Sequence, residues 1–334
     1  MQKMTKKTKI LTGILIGMQA ILLISVAGVF LQNNALADML KEYVASKGEI
    51  HEIYDDTAVV EAYKSGTTEG LNEQDKYVLE QAKKVIDENI TDGMSDYEKE
   101  KAIYDWQMAY TAYNDNSLAP IASGGQYSHL PYGVFKYHQA ICVGHATTFK
   151  LLMDMLDIEC QIIHSTEEGE HAWDLVKLDD EWYHCDVTFD GGTGEKPGYT
   201  YFNVPDSVKD DGSYPWNHEE IPAADGTKYC YLAENAGDLK DIYDIPEYVK
   251  TQMDEGSRRI AFTLKNAENY NEDVASYITS AFNDGMTELC QGTTMQIGDK
   301  TIYTIEAYQA DDGMGGQLDP EILEKLQEII DGLQ

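Results

Sequence analysis

The stretch HAWDLVKLDDEWYHCDVTF, residues 171–189, constrains the fold more than any other. Two runs rich in β-branched and aromatic residues flank Asp179-Asp180, a pair suited to the two-residue turn of a β-hairpin. That turn sets a register in which His171 faces Thr188 and Asp186 is the diagonal neighbour of His171 on the same face. The chain therefore contains an antiparallel sheet with an imidazole and a carboxylate side by side.

Ahead of the hairpin, AICVGHATTFKLLMDMLDIEC reads as a helix starting between Ala140 and Cys142, with Cys142, Ala146, Phe149, Leu152 and Leu156 on one face. CQIIHST then adds a strand. Further upstream, EQDKYVLEQAKKVIDENI has helical periodicity, and SDYE offers a capping box of Ser95 with Glu98 before KEKAIYDWQMAYTAY. Asn114 to Gly133 has the Pro, Gly and Ser content of a loop, and the sequence after Asp190 is turn-rich. From about Asp244 a small α+β unit follows: helix IPEYVKTQM, strand RIAFTLK, helix NEDVASYITSAFNDGM, hairpin TTMQIGDKTIYTIEAY and a last helix opened by Asp319-Pro320. These patterns divide the chain into residues 1–37, a helical region 38–94, a core 95–235 and a C-terminal domain 236–334.

The first segment, with Lys3, Lys6, Lys7 and Lys9 before an apolar run from Ile10 to Phe30 and an A-x-A site at Ala35-Leu36-Ala37, has the order of an export signal. Left uncleaved, the run is long enough to anchor the chain in a bilayer. Both readings predict that the remainder works outside the cytoplasm, secreted or at the cell surface, and touches the membrane through this segment alone. Beyond residue 37 the chain has 21 basic against 59 acidic residues, a charge that repels nucleic acid and anionic lipid. Acidic clusters such as Asp210-Asp211 fit no calcium loop and read as solvated surface.

Cys142 opens a helix, where free N–H groups and the macrodipole favour a negative charge. The order Cys142, His171, Asp186 then supplies a thiolate, a base that shuttles the proton and a carboxylate that fixes the imidazole. Two other roles compete for Cys142. Alone it would be a small buried side chain, and with His138 and His145 at i, i+4, i+7 spacing it would be a zinc ligand if one helix ran through all three. Gly144 and the helix start argue against that helix, leaving His145 as a cleft wall or surface residue. His184, on the same face as Asp186, lines the cleft or is structural. Trp173 and Trp182 are expected in the core or the cleft wall.

These residues resemble the core motif of the transglutaminase-like superfamily, in which Cys sits on a helix, His precedes Ala-Trp on a strand and Asp follows on the next. The resemblance covers roughly Ser95 to Val204, and the flanks KEKAIYDWQMAYTAYND and YFNVPDS resemble those of bacterial exported members. It implies a papain-like α+β fold, a Cys-bearing helix packed on an antiparallel sheet. It also implies acyl transfer through a thioester, with Cys142 as nucleophile, His171 as general base and acid, and Asp186 as orienter. No cofactor or metal is implied. The second oxyanion donor, beside the Cys142 N–H, has no assigned position, with Gln139, Gln126 and Tyr137 as candidates. The expected activity is a cysteine peptidase or amidase on a protein or peptide substrate, including cell-wall material; protein-glutamine amine transfer and a non-catalytic binding module are the alternatives. Of the five cysteines, Cys160 with Cys185 and Cys230 with Cys290 would make two disulfides and leave Cys142 free, and a chain with no disulfides is equally compatible.

Overall fold

A computed structural model describes residues 53–113, 127–165, 171–191, 198–210, 212–257, 259–265 and 288–309. The leader segment, the helices expected at 271–286 and after Asp319, and Gln126 lie outside the described residues.

The chain enters through three amphipathic helices: α1 (Thr57–Ser65), α2 (Glu73–Asn89) and α3 (Asp96–Tyr110). Asn72 caps α2 by accepting the Asp75 N–H, and Ser95 with Glu98 forms the expected capping box on α3. Strand β1 (Ala112–Tyr113) pairs in parallel with β2 (Gln139–Ala140). Between them, part of the expected loop is a short helix, α4 (Pro131–Tyr137), because Pro131 at its first position suits a helix start.

Helix α5 (Cys142–Met155) is the hub. Every residue from Val143 to Met155 is buried except Lys150 and Asp154, so the one-faced pattern expected for it extends around the whole helix. It lies between α1, α3 and α4 on one side and an antiparallel sheet on the other. That sheet runs in the order β3 (Cys160–His164), β4 (Ala172–Leu178), β5 (Glu181–Cys185), β6 (Phe202–Val204). Val59, Val78, Tyr104, Phe149, Leu152, Val176 and Phe202 share one core, so α1 and α2 are packed into the same interior as the Cys142 helix. The fold is α+β with a helix on an antiparallel sheet, as expected.

The hairpin has the anticipated register: Leu178 pairs with Glu181 and Asp174 with Cys185. Asp179 and Asp180 have φ of 48° and 68°, both left-handed, as a twisted two-residue turn requires. His171 and Thr188 do not pair, however. The strand stops at Cys185 because the Asp186 carboxylate accepts the Phe189 N–H at 3.0 Å and caps a one-turn helix, α6 (Val187–Asp190). Strand β6 and the following α7 (Asp206–Lys209) lie in sequence read as irregular, too short to show a period.

A second sheet, in the order β7 (Gly237–Leu239), β8 (Arg259–Leu264), β10 (Lys300–Gln309), β9 (Glu288–Ile297), packs on α9 (Ile245–Asp254), preceded by α8 (Tyr231–Asn235). Its core is Leu239, Ile245, Val249, Ile260, Phe262 and Ile305. The expected helix, strand and hairpin of this region are all present. From β8, Arg259 reaches the core, giving Asp190 a hydrogen bond at 3.0 Å and Glu306 one at 3.2 Å.

Candidate active site

Cys142 is the first residue of α5, and the Ile141 before it offers no side-chain cap, so the helix N-terminus is left open at the thiol. The approach to this point is held by backbone: Ile141 N–H donates to the Ser128 carbonyl at 3.0 Å. One turn in, a Cβ on Gly144 would lie 2.0 Å from that same Ser128 oxygen. Only glycine lets the Ser128 segment lie this close to the helix.

The Cys142 thiol is partly accessible and interacts with the ring of His171. The other side of that ring is taken, since Nε2 meets Asp186 Oδ2 at 2.7 Å, which leaves Nδ1 for the thiol. His171 is 4% exposed, with Phe189 stacked on it at 4.3 Å between centroids, Trp173 at 5.5 Å and Tyr214 tilted at 4.9 Å. Burial works against a charged imidazole here, but Asp186 and then Cys142 outweigh it and raise its pKa. Asp186 is fully buried. Despite burial, Lys209 and then His171 hold its carboxyl well below the usual carboxylate range. The structure thus brings Cys142, His171 and Asp186 together.

His184 and Glu100 are buried next to these three residues. Trp173 Nε1 donates to His184 Nδ1 at 3.0 Å, and His184 Nε2 meets Asp206 Oδ1 at 2.7 Å, so His184 is structural. Glu100 receives the Cys185 thiol at 3.2 Å and Asn203 Nδ2 at 2.8 Å; burial pushes its pKa up to about 7. His145 is buried rather than a surface residue. Its backbone carbonyl accepts from Gln107 Nε2 at 2.8 Å, and burial first, then the charge of His171, lower its pKa to about 4 against the pull of Asp186.

His138, Cys142 and His145 do not share a helix: His138 is exposed, in the left-handed conformation that ends α4, and α5 begins only at Cys142. Among the described residues no group of three or more His, Cys, Asp or Glu could hold a metal ion. Cys160 and Cys185 are both free, and the suggested pairing between them fails because β4 runs between their strands. Each donates instead to a buried carboxylate, Cys160 to Asp174 at 3.6 Å and Cys185 to Glu100. Cys230 is free as well. Of the oxyanion candidates, Gln139 lies in β2 with its Oε1 enclosed and unpartnered, and Tyr137 stacks on Tyr127 at 6.0 Å.

Residues 83–187 match the family model of the transglutaminase-like superfamily. This segment is a transglutaminase-like domain. Cys142, His171 and Asp186 all fall inside it, and its family is one of thiol-dependent enzymes. Three solved chains also match, among them a crystal structure of a TGase at 20% identity and a TM-score of 0.29, covering 47% of this chain and 42% of that chain. No curated protein matches.

Sequence reasoning missed Lys209, which lies beyond the transglutaminase-like domain. Its Nζ donates to Asp186 Oδ2 at 2.5 Å, and its side chain is 3% exposed. The one signal was its place shortly after YFNVPDS, a flank that resembles the family.

Proposed function

We propose that this chain is an exported thiol hydrolase, a cysteine peptidase or amidase. The observation that carries the reading is the juxtaposition of Cys142, His171 and Asp186, with the imidazole boxed in by aromatic rings at an uncapped helix N-terminus. The Cys142 thiolate attacks the carbonyl carbon of a peptide or side-chain amide, and the carbonyl oxygen takes the negative charge beside the Cys142 N–H. The imidazolium of His171 gives its Nδ1 proton to the leaving nitrogen as the C–N bond breaks, leaving a thioester. Neutral His171 then takes a proton from water, hydroxide attacks the thioester, and the acid and free thiol are released. Asp186 orients the ring throughout.

Among the described residues burial pushes up the pKa of the Cys160, Cys185 and Cys230 thiols, so in a Cys290→Ser background alkylation of the folded protein reports on Cys142. Iodoacetamide at near-neutral pH is expected to modify the protein rapidly, and Cys142→Ala to abolish that reaction. A thiol no faster than the same residue in urea-unfolded chain would end the nucleophile reading. Peptide-library turnover, with Cys142→Ala as the blank, distinguishes hydrolysis from amine transfer when an amine acceptor is added.

A further inference from the structure

Lys209 ends a four-residue helix in a stretch dense with Asp, Ser and Gly, yet it is 5% exposed. Its Nζ shares one oxygen of Asp186, Oδ2, with His171 Nε2, while Oδ1 accepts the Phe189 N–H. Three rings enclose the ammonium, with Trp173 and Phe189 at 4.6 Å and Tyr201 at 4.8 Å from Nζ to centroid. Trp173 and Phe189 also stack on His171, so the cation and the imidazole share two walls and one carboxylate oxygen.

A buried ion pair is a poor way to stabilise a core, since an apolar side chain of similar volume generally does as well or better. A charge in this position therefore has an electrostatic consequence to account for. A single carboxylate facing two cations divides its attraction between them, and the cations repel each other. We propose that Lys209 is a positioning residue of this site, which clamps Asp186 in place and damps the basicity of His171 so that the imidazolium releases its proton to the leaving group. This rests on the thiol-nucleophile reading for its purpose, though not for its measurement.

The other titratable groups facing the pair are Cys142 and His145 from α5, Asp174 from β4, His184 from β5, Asp190 from α6, Tyr201 and Tyr214 from the following chain, and Tyr104 from α3, whose hydroxyl donates to the Asp186 carbonyl. None of them shares Asp186 Oδ2, so removal of the Lys209 charge acts on His171 directly. Without it, Asp186 supports the imidazolium alone and the His171 titration moves to higher pH.

The test is an NMR titration of the His171 ring in full-length protein, assigned with a His171→Gln sample, for wild type, Lys209→Met and Lys209→Arg. An upward displacement in Lys209→Met, absent in the charge-preserving Lys209→Arg, supports the proposal. A folded Lys209→Met protein whose His171 midpoint stays in place or falls overturns it. If Lys209→Met does not fold, Lys209→Gln removes the charge while retaining a donor for Asp186, with the same two outcomes. Iodoacetamide kinetics of wild-type Cys142 are measured alongside. Slow alkylation there removes the nucleophile reading and leaves the coupling of Lys209 to His171 to be decided by the titration.

Discussion

Trp173 donates its indole N–H to Nδ1 of His184, and that bond fixes the tautomer of a second buried histidine. With Nδ1 accepting, Nε2 carries the proton and donates to Asp206. The same indole stacks on His171, so the wall of the His171 imidazole is held from behind by the His184–Asp206 pair. Trp173→Phe keeps a ring beside His171 but leaves a buried imidazole nitrogen without its donor. It is expected to lower stability by about 1–3 kcal/mol, read from urea unfolding. A change within experimental error would show that the bond does not hold the wall.

Asp186→Asn removes the charge that Lys209 and His171 share. A buried ammonium is left unpaired, which costs about 3–5 kcal/mol, and Cys142 alkylation slows as His171 loses its support. Adding Lys209→Met to Asp186→Asn should restore part of that stability without restoring the thiol. If the double variant is as unstable as the sum of the single ones, the two groups are not coupled.

Glu100 gives the fold a pH dependence with a defined sign. Its pKa rises from 4.5 in the unfolded chain to about 7 in the folded one, so the folded state binds the extra proton. Its stabilising contribution is complete below about pH 4.5 and is lost as pH rises through 7, a change on the order of 3 kcal/mol. His145, lowered to about 4, acts in the opposite sense between pH 4 and 6.5. Glu100→Gln should flatten the fall in Tm between pH 5 and 8 and make the protein more stable than wild type at pH 8. A Tm profile that still falls as steeply would place the titration elsewhere.

Gly144→Ala should be severe for so small a change. Its Cβ would overlap the Ser128 carbonyl, which also receives the Ile141 N–H that leads into Cys142. Either the Ser128 segment or the start of α5 has to move. A loss of about 1–3 kcal/mol is expected, with alkylation of Cys142 slowed in the protein that remains folded. An alanine variant with wild-type thiol kinetics would show that the segment yields freely.

Much of this site could be read in the sequence because its signals are local. Asp179-Asp180 sets the hairpin register through its own backbone preference, Ser95 and Glu98 cap α3 within one turn, and the apolar run after Cys142 defines α5. These place Cys142 on its helix and bring His171 and Asp186 to the adjoining ends of β4 and β5. The rest depends on distant chain. Asp186 belongs to a helix cap rather than a strand, because a side-chain bond to Phe189 N–H competes with the ladder. Lys209 reads as a solvated lysine in a polar loop, and its burial exists only once Trp173, Phe189 and Tyr201 meet around it. Cys160 and Cys185 look like disulfide partners until β4 is placed between them.

Asp190 closes the short helix that Asp186 opens, and Arg259, from the second sheet, holds Asp190 together with Tyr104 and the backbone of Thr200 and Tyr201. The match to the transglutaminase-like model ends at residue 187. A gene fragment cut there would encode Cys142, His171 and Asp186 and none of Asp190, Lys209 or Arg259. Exchanging domains between relatives at that boundary would transplant Cys142, His171 and Asp186 while leaving behind the bracing around Asp186, so a swap that keeps this geometry has to run at least to β8.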